Sequence, residues 1–337
     1  MAEPPNTERR NPRAVYVLIL AGGAASRLWP SSSDEYPKYL MHIGGQSLLE
    51  MAWQRALAVT DPAHVFLVTG AGQAHLFAEA LPDLPQGNLI VEPARRDTAA
   101  AITYGARHIA AIDPEAWLLV LPADQIIEPL DALAAGVRRA RAADGARESI
   151  HIFGVQPARA EGAFGYIQPG PDVAPGVFAV KSFREKPGSD ANQLVQQGWY
   201  WNAGCFFFNL PAFETELQRH LPSHSARVAA AGVGKSDYNA LKSISIDFGL
   251  IEKVRNLRMV ELTGEFDDVG TWDAVFRRLP LEGTELVTVG GNNNRGFGAE
   301  IVVVGESNLL VVVSDGKVLV LKQGHGHDVK KIKDPRP

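Results

Sequence analysis

Residues 21–38 of the chain read AGGAASRLWPSSSDEYPK. Gly22 and Gly23 follow an apolar stretch, and a glycine pair at the end of a buried strand lets backbone N–H groups close on a phosphate. Arg27 and Lys38 add a planar fork and a point charge for phosphate oxygens. A bare glycine pair is an ordinary strand–turn–helix feature; the whole string says much more. It is not a P-loop, because no Gly-Lys-Ser/Thr follows at the right spacing, and it is not the GxGxxG dinucleotide fingerprint. Further on, Leu121-Pro122-Ala123-Asp124 ends another apolar stretch in a carboxylate. A strand-terminal acid facing a phosphate loop is where Mg²⁺ would be held, although a lone one is usually a turn or cap residue.

The elements that must position these groups are readable from the pattern. Residues 15–20, 65–69, 89–91 and 117–121 predict short, continuously apolar strands, with helices between them near 47–58, 72–80, 97–111 and 129–143. That alternation predicts an α/β domain with a largely parallel sheet buried on both faces. Ligands in such sheets sit beyond the carboxyl ends of the strands, where both motifs fall. From about 150 to 212 short strands punctuated by Gly and Pro predict a mixed-sheet extension, and helices return around 212–256 and 270–279. Residues 285–322 alternate β runs with Gly/Asn turns and predict a small all-β domain. The expected organisation is a disordered leader (1–13), a main domain (14–280), a small β domain (281–329) and a charged, Pro-rich frayed tail (330–337). Arg9 and Arg10 before the apolar run at 15–21 mimic a signal peptide, but the run is too brief and flows straight into the glycine turn.

Composition narrows the class. The chain has 337 residues with 33 Lys+Arg against 38 Asp+Glu, a net charge of −5, which lacks the basic excess that non-specific nucleic-acid binding needs. At 46% hydrophobic and 21% charged it suits one large core plus a small second domain. Its single cysteine, Cys205, excludes an intramolecular disulfide framework and a Cys-rich metal site. No apolar run approaches the roughly 18 residues of a membrane span. A soluble, cytoplasmic protein is expected.

Taken in order, the strings resemble the signature of sugar-1-phosphate nucleotidylyltransferases, and Leu28-Trp29-Pro30 resembles the version in mannose-1-phosphate guanylyltransferases. The family pattern runs GGxGxRL…P…PK; Ala25 stands at its third glycine, and Tyr39 follows Lys38 where Gln is usual. Glu92-Pro93-Ala94-Arg95-Arg96-Asp97-Thr98-Ala99 resembles EPxxRNTA, with Asp97 for the commoner Asn, and the resemblance lays this segment against the guanine base. Thr98 also suits a helix cap. Residues 121–126 resemble LPADHxI, with Gln125 for His, which implies Asp124 as a metal carboxylate. Phe164-Gly165-Tyr166-Ile167 resembles a loop where the sugar packs on backbone, with Gly165 leaving room. Phe183-Arg184-Glu185-Lys186-Pro187 resembles FxEKP: Glu185 would accept from sugar hydroxyls and Lys186 would neutralise the sugar phosphate, where otherwise a solvated turn is expected. Trp201-Asn202-Ala203-Gly204 resembles WNxG, with Asn202 reading a hydroxyl. Residues 245–253 resemble SIDxxxxEK, in which Asp247 suits a helix cap as well as a ligand. Residues 266–272 resemble the DxGTW box, with Asp268 as second metal carboxylate and Asp267 the less suited neighbour. Cys205, with no His–carboxylate constellation around it, reads as core filling. His325 and His327 fall near the tail.

The resemblance implies a Rossmann-like nucleotidyltransferase domain with a mixed, mostly parallel sheet, followed by a small all-β, β-helix-like C-terminal domain. It implies transfer of GMP from GTP to α-D-mannose 1-phosphate, giving GDP-mannose and pyrophosphate, by Mg²⁺-assisted in-line attack on the α-phosphorus. The catalytic residues would be Arg27, Lys38, Asp124 and Lys186. Ala21, Gly22, Gly23, Arg27, Lys38, Glu92, Thr98 and Ala99 would bind the nucleotide; Gly165, Glu185, Lys186 and Asn202 the sugar phosphate; Asp124 and Asp268 the metal. Two alternatives remain: a sister enzyme using another base or hexose, and a silent GDP-mannose-binding regulator. The β tail lacks the His and Glu pattern of the cupin-like isomerase domain of longer relatives, so one activity is expected. The alternation over 299–322 leaves a sheet edge through which a homodimer could pair. No nucleic-acid or membrane partner is expected.

Overall fold

Continuously apolar segments form the centre of the molecule. The computed structural model describes residues 14–23, 26–33, 35–43, 45–143, 145–228, 235–278 and 286–332. The expected leader, Ala25, the expected boundary at 280/281 and the end of the expected tail (333–337) lie outside them. Two compact units divide the chain: one takes the residues up to Gly22, Ala52–Pro122 and Ile127–Phe266; the other takes Gly23–Met51, Ala123–Ile126 and the residues from Asp267 on.

The first unit is built on a nine-stranded sheet: β1 (Val15–Leu20), β2 (Val65–Gly70), β3 (Leu89–Glu92), β4 (Trp117–Pro122), β5 (Ile150–Val155), β6 (Tyr166–Ala174), β7 (Val177–Arg184), β8 (Tyr200–Asn209) and β9 (Leu257–Leu262), in spatial order β3-β2-β1-β4-β8-β5-β9-β7-β6. The four expected strands, β1 to β4, pair in parallel, with β1 at the centre, in register with β2 (Val17↔Val65) and β4 (Leu18↔Val120). Strand β8 runs antiparallel between β4 and β5, so the sheet is mixed. The helix Asp97–Ala110 buries Ala99, Ile102, Ala106 and Ile109, positions spaced for one helical face, in the core with Tyr16, Leu18 and Phe66.

The sequence pattern misses one strand of this sheet. Residues 257–262 follow the expected helical stretch and carried no strand expectation, yet β9 pairs in parallel with β5 and antiparallel with β7. Its charged residues Arg258 and Glu261 interrupt the apolar run, and only the flanking strands reveal that Leu257, Met259, Val260 and Leu262 are buried. The expected helices of 212–256 are short pieces, Leu210–His220, Pro222–Arg227, Lys235–Asn239 and Ile246–Gly249.

The second unit has its own core, in which Leu28, Met41, Ile126, Val269, Trp272, Phe276, Leu310 and Val329 are buried together. Its C-terminal strands are β10 (Leu286–Val289), β11 (Arg295–Phe297), β12 (Ile301–Val304), β13 (Leu309–Ser314) and β14 (Lys317–Lys322). β10 pairs in parallel with β12 (Leu286↔Ile301) and β11 with β13 (Arg295↔Leu310), both at an offset of 15 residues. The turns stack at the same interval, with Asn293 Nδ2 donating to Asn308 Oδ1 at 2.8 Å. The result is a β-helix-like coil, which β14 closes antiparallel to β13. Past the strands, a 3₁₀ turn at Gly326–Lys331 includes the buried Val329. Among the described residues no helix is long and apolar enough to cross a membrane.

Candidate active site

The second unit gathers four of the expected residues. The glycine string leads into a 3₁₀ turn carrying Arg27 and, after Pro37, another carrying Lys38. Leu28 is buried, and Trp272 Nε1 donates to the carbonyl of Trp29 at 2.9 Å, so the Leu-Trp-Pro stretch is tied to the DxGTW box. Lys38 Nζ bonds Asp124 Oδ2, and Val269 N donates to the Asp124 carbonyl at 2.9 Å, joining the stretches that carry Asp124 and Asp268. A Cβ placed on Gly270 would stand 3.0 Å from Asp268 Oδ1 and 3.5 Å from Arg27 Nη1, so both groups crowd this glycine.

Charge follows from that placement. Burial alone would lift the Asp124 carboxyl, but the Lys38 ammonium and, more distantly, Arg27 hold it below the ordinary carboxylate range. Burial and then the Asp124 charge push Asp268 up to about 6. Burial would lower the Lys38 ammonium; Asp124, Tyr39 and Asp268 override it and hold it above its ordinary value. Two crowded carboxylates with hard oxygen donors suit a hard divalent cation that fills its remaining positions with phosphate and water. Asp267, by contrast, is spent on Arg277 (3.1 Å) and Arg278 (3.8 Å).

In the first unit, Glu92 ends β3. It is buried, and Tyr238 Oη donates to its Oε1 at 2.5 Å. A Cβ on Gly22 would stand 3.6 Å from Glu92 Oε2, so the second carboxylate oxygen faces the start of the glycine turn. Burial raises Glu92 to about 7, with the Tyr238 hydrogen bond opposing the shift. Asp97 opens the following helix at φ 66, with its Oδ1 accepting from Thr98 N at 2.7 Å. Asn and Asp tolerate this left-handed conformation best, which accounts for the residue type here. Thr98 does not cap that helix: its Oγ1 accepts from Ile246 N at 2.9 Å, and Ala99 N donates to Ile244 O at 3.2 Å.

The remaining expected residues also converge within the first unit. Asn202 N donates to Gly165 O at 2.8 Å, and Lys186 N to Phe164 O at 3.2 Å. A Cβ on Gly165 would lie 2.6 Å from Glu185 Oε2 and 3.2 Å from Asn202 Cβ, so any side chain there would fill the space these groups share. Lys186 sits at φ 48 and its Nζ reaches Glu185 Oε1 at 2.8 Å. Asn202 Oδ1 accepts from Gly204 N at 3.0 Å and its Nδ2 donates to Asp247 Oδ1 at 3.1 Å. Burial and then the Glu185 charge push Asp247 up to about 7.

Two residues beyond the expected set stand here, Tyr238 and Asp247. Nothing near Tyr238 in the sequence signals a partner that lies 146 residues away. Asp247 was visible, but a helix cap was an equal reading; Ser245 turns out to be the cap, its hydroxyl accepting from Phe248 N at 3.4 Å.

A core of parallel strands whose β1 leads into a glycine turn, in a chain that also carries the Lys38–Asp124 pair and Asp268, is the pattern of a nucleotidyl-transferring class. The chain belongs to the nucleotidyl transferase family, whose model matches residues 16–281. It is 31% identical to the xanthan biosynthesis protein XanB of Xanthomonas campestris, over 95% of this chain and 72% of that one. It is 30% identical to the mannose-1-phosphate guanylyltransferase RfbM of Salmonella typhimurium, over 94% and 71%. A crystal structure described as mannose-1-phosphate geranyltransferase from Thermus thermophilus superposes with a TM-score of 0.84 at 29% identity, covering 94% of this chain and 97% of that one.

Proposed function

We propose that the protein is a cytoplasmic enzyme that transfers GMP from GTP to α-D-mannose 1-phosphate, giving GDP-mannose and pyrophosphate. The observation that carries this reading is the Lys38–Asp124 pair beside Asp268, in a chain related to proteins named mannose-1-phosphate guanylyltransferase. The phosphate oxygen of the hexose attacks the α-phosphorus of GTP in line, and pyrophosphate leaves with the bond electrons. A sugar phosphate is already anionic near neutral pH, so no general base is needed. Positioning and charge neutralisation supply the rate. Asp124 and Asp268 would hold Mg²⁺, which when bound offsets the repulsion between the approaching phosphates. Lys38 neutralises oxygens of the reacting phosphate, and Arg27 holds the leaving pyrophosphate. The glycine turn at Gly22 and Gly23 aims backbone N–H groups at the triphosphate. Glu92 accepts from guanine N–H donors, while Thr98 and Ala99 fix the segment beneath the base. Gly165, Glu185 and Asn202 receive the hexose, and Lys186 its phosphate. Residues 14–280 carry the reaction in this reading.

The test is pyrophosphate release with Mg²⁺ across GTP, ATP, UTP and dTTP, each paired with mannose 1-phosphate and glucose 1-phosphate. Turnover confined to GTP with mannose 1-phosphate is expected. Turnover with another pair moves the specificity, and none with any pair, despite GDP-mannose binding, overturns the enzyme.

A further inference from the structure

The 3₁₀ turn at Gly326–Lys331 follows the last strand, and six residues in such a turn hold no fixed shape by themselves. Its neighbours hold it. Asp273, on the helix Trp272–Arg278, accepts from two backbone N–H groups at its entry: Gly324 N donates to Oδ1 at 2.6 Å and Gly326 N to Oδ2 at 2.8 Å. Both carboxylate oxygens are thereby spent on main chain. Gly326 is buried, and a Cβ there would stand 2.5 Å from Asp273 Oδ2 and 3.0 Å from Thr271 Cβ, so only glycine lets the chain approach this closely. Next to this clamp, Asp328 takes His325 at 3.1 Å and Lys331 at 2.5 Å, which absorbs the first histidine of the His325/His327 pair.

The turn so clamped packs against the 3₁₀ turn Ser26–Leu28, which carries Arg27. Val329 and Leu28 are buried in one core with Val269 and Trp272. Arg27 has no long element to set its direction, because its turn has three residues and its own side chain is exposed. The Trp272 indole holds the carbonyl of Trp29, and the next residue, Asp273, holds the turn that packs on Ser26–Leu28. Adjacent residues of one helix therefore brace the Arg27 turn by two routes. A guanidinium that must meet phosphate oxygens in a fixed orientation depends on such bracing.

We infer that Asp273 is a positioning residue of the reaction, acting through the Gly326–Lys331 turn to set Arg27 for the pyrophosphate. The inference rests on the pyrophosphate role given to Arg27 in the proposed function and extends it to a residue whose own oxygens are spent on main chain. It makes the segment past the last strand a support of pyrophosphate binding, and not of nucleotide-sugar binding.

Pyrophosphorolysis of GDP-mannose with Mg²⁺ by wild type, Asp273→Ala, Arg27→Ala and the double variant tests it. Asp273→Ala is expected to lower kcat/KM for pyrophosphate by about 10- to 100-fold, the scale of a misplacement of about 1 Å, with KM for GDP-mannose unchanged. Added to Arg27→Ala, it is expected to cause no further loss, because the group it positions is gone. Single losses that multiply in the double variant overturn the inference. So does an unchanged kcat/KM for pyrophosphate, or a loss that falls equally on GDP-mannose, the mark of a merely structural residue. Should Asp273→Ala melt below the assay temperature, Asp273→Asn, which keeps one acceptor, carries the same cycle. If the wild type uses another base or hexose, the proposed function fails separately, and the cycle is run on that nucleotide sugar, since pyrophosphate is common to every pair. If it turns over no pair, pyrophosphate titrated with Mg²⁺ onto the four proteins decides Asp273 by the same comparison.

Discussion

Asp124 and Asp247 are aspartates in similarly desolvated settings, and they end on opposite sides of the ordinary carboxylate range. Burial pushes both up. Around Asp124 the Lys38 ammonium overrides burial and holds the group ionised. Around Asp247 the Glu185 charge adds to burial and carries it to about 7. The contrast separates two kinds of work. In the second unit Lys38 and Arg27 favour the charged form of Asp124, which suits the proposed phosphate chemistry, while Asp268 beside it rises to about 6. The carboxylates of the first unit stand against the Asn202 amide and the Lys186 ammonium, and in the proposed function they would receive N–H and O–H groups of the ligands. Glu92 resembles Asp247 in its titration: burial raises it too to about 7, with the Tyr238 hydrogen bond and the Arg95 charge opposing the shift.

The contrast can be broken most severely at Asp124. Asp124→Ala should lower kcat by roughly 10³-fold, the scale of losing a preorganised charge at a reacting group, with KM for the hexose phosphate little changed. A matching rise in that KM would erase the division of labour. Next in size is Lys38→Met, which strands a part-buried carboxylate. It should cut kcat by about 10²-fold and cost about 3 kcal/mol of unfolding free energy in chelator, part of it restored by Mg²⁺. Denaturant titration with and without the metal reads this.

Glu92→Gln should raise KM for GTP by about 10-fold, the cost of a lost charged hydrogen bond. It also removes a pH dependence. With the wild-type carboxyl at about 7, acidification through that value protonates Glu92 and weakens its acceptance of guanine donors, so KM for GTP rises as pH falls. The variant should show a flat profile. Stability runs the other way. The folded-state value lies above the unfolded one, so the stability from this group is fully present below the unfolded carboxylate's ~4.3 and lost as pH rises through about 7. Wild type should therefore gain more than Glu92→Gln on acidification, read as the shift in thermal midpoint. The smallest effect belongs to Tyr238→Phe, which removes the 2.5 Å hydrogen bond to Glu92 and leaves its ring in place. A rise of about fivefold in KM for GTP is expected, from roughly 1 kcal/mol of lost hydrogen bonding.

Much of this was legible in the sequence because it is local. Strands β1 to β4 are unbroken apolar runs, and the glycine turn and Asp124 lie at their ends, where α/β sheets hold ligands. What the sequence hides is long-range. β9 is a strand only because β5 and β7 flank it. Thr98 looked like a cap for its own helix, yet its hydroxyl serves Ile246, 148 residues away. Asp247 looked like a cap until Ser245 took that place, and nothing local announces that Glu185 faces it. Asp267 and Asp268, adjacent in sequence, separate only when Arg277 and Arg278 are seen to claim the first.

The central claim is most directly tested by single-turnover formation of GDP-mannose from GTP and mannose 1-phosphate with wild type and Asp124→Ala, alongside direct titration of GDP-mannose onto each. The account predicts rapid, Mg²⁺-dependent product formation by the wild type, almost none by the variant, and GDP-mannose bound by both. Product formed by Asp124→Ala at the wild-type rate would contradict it.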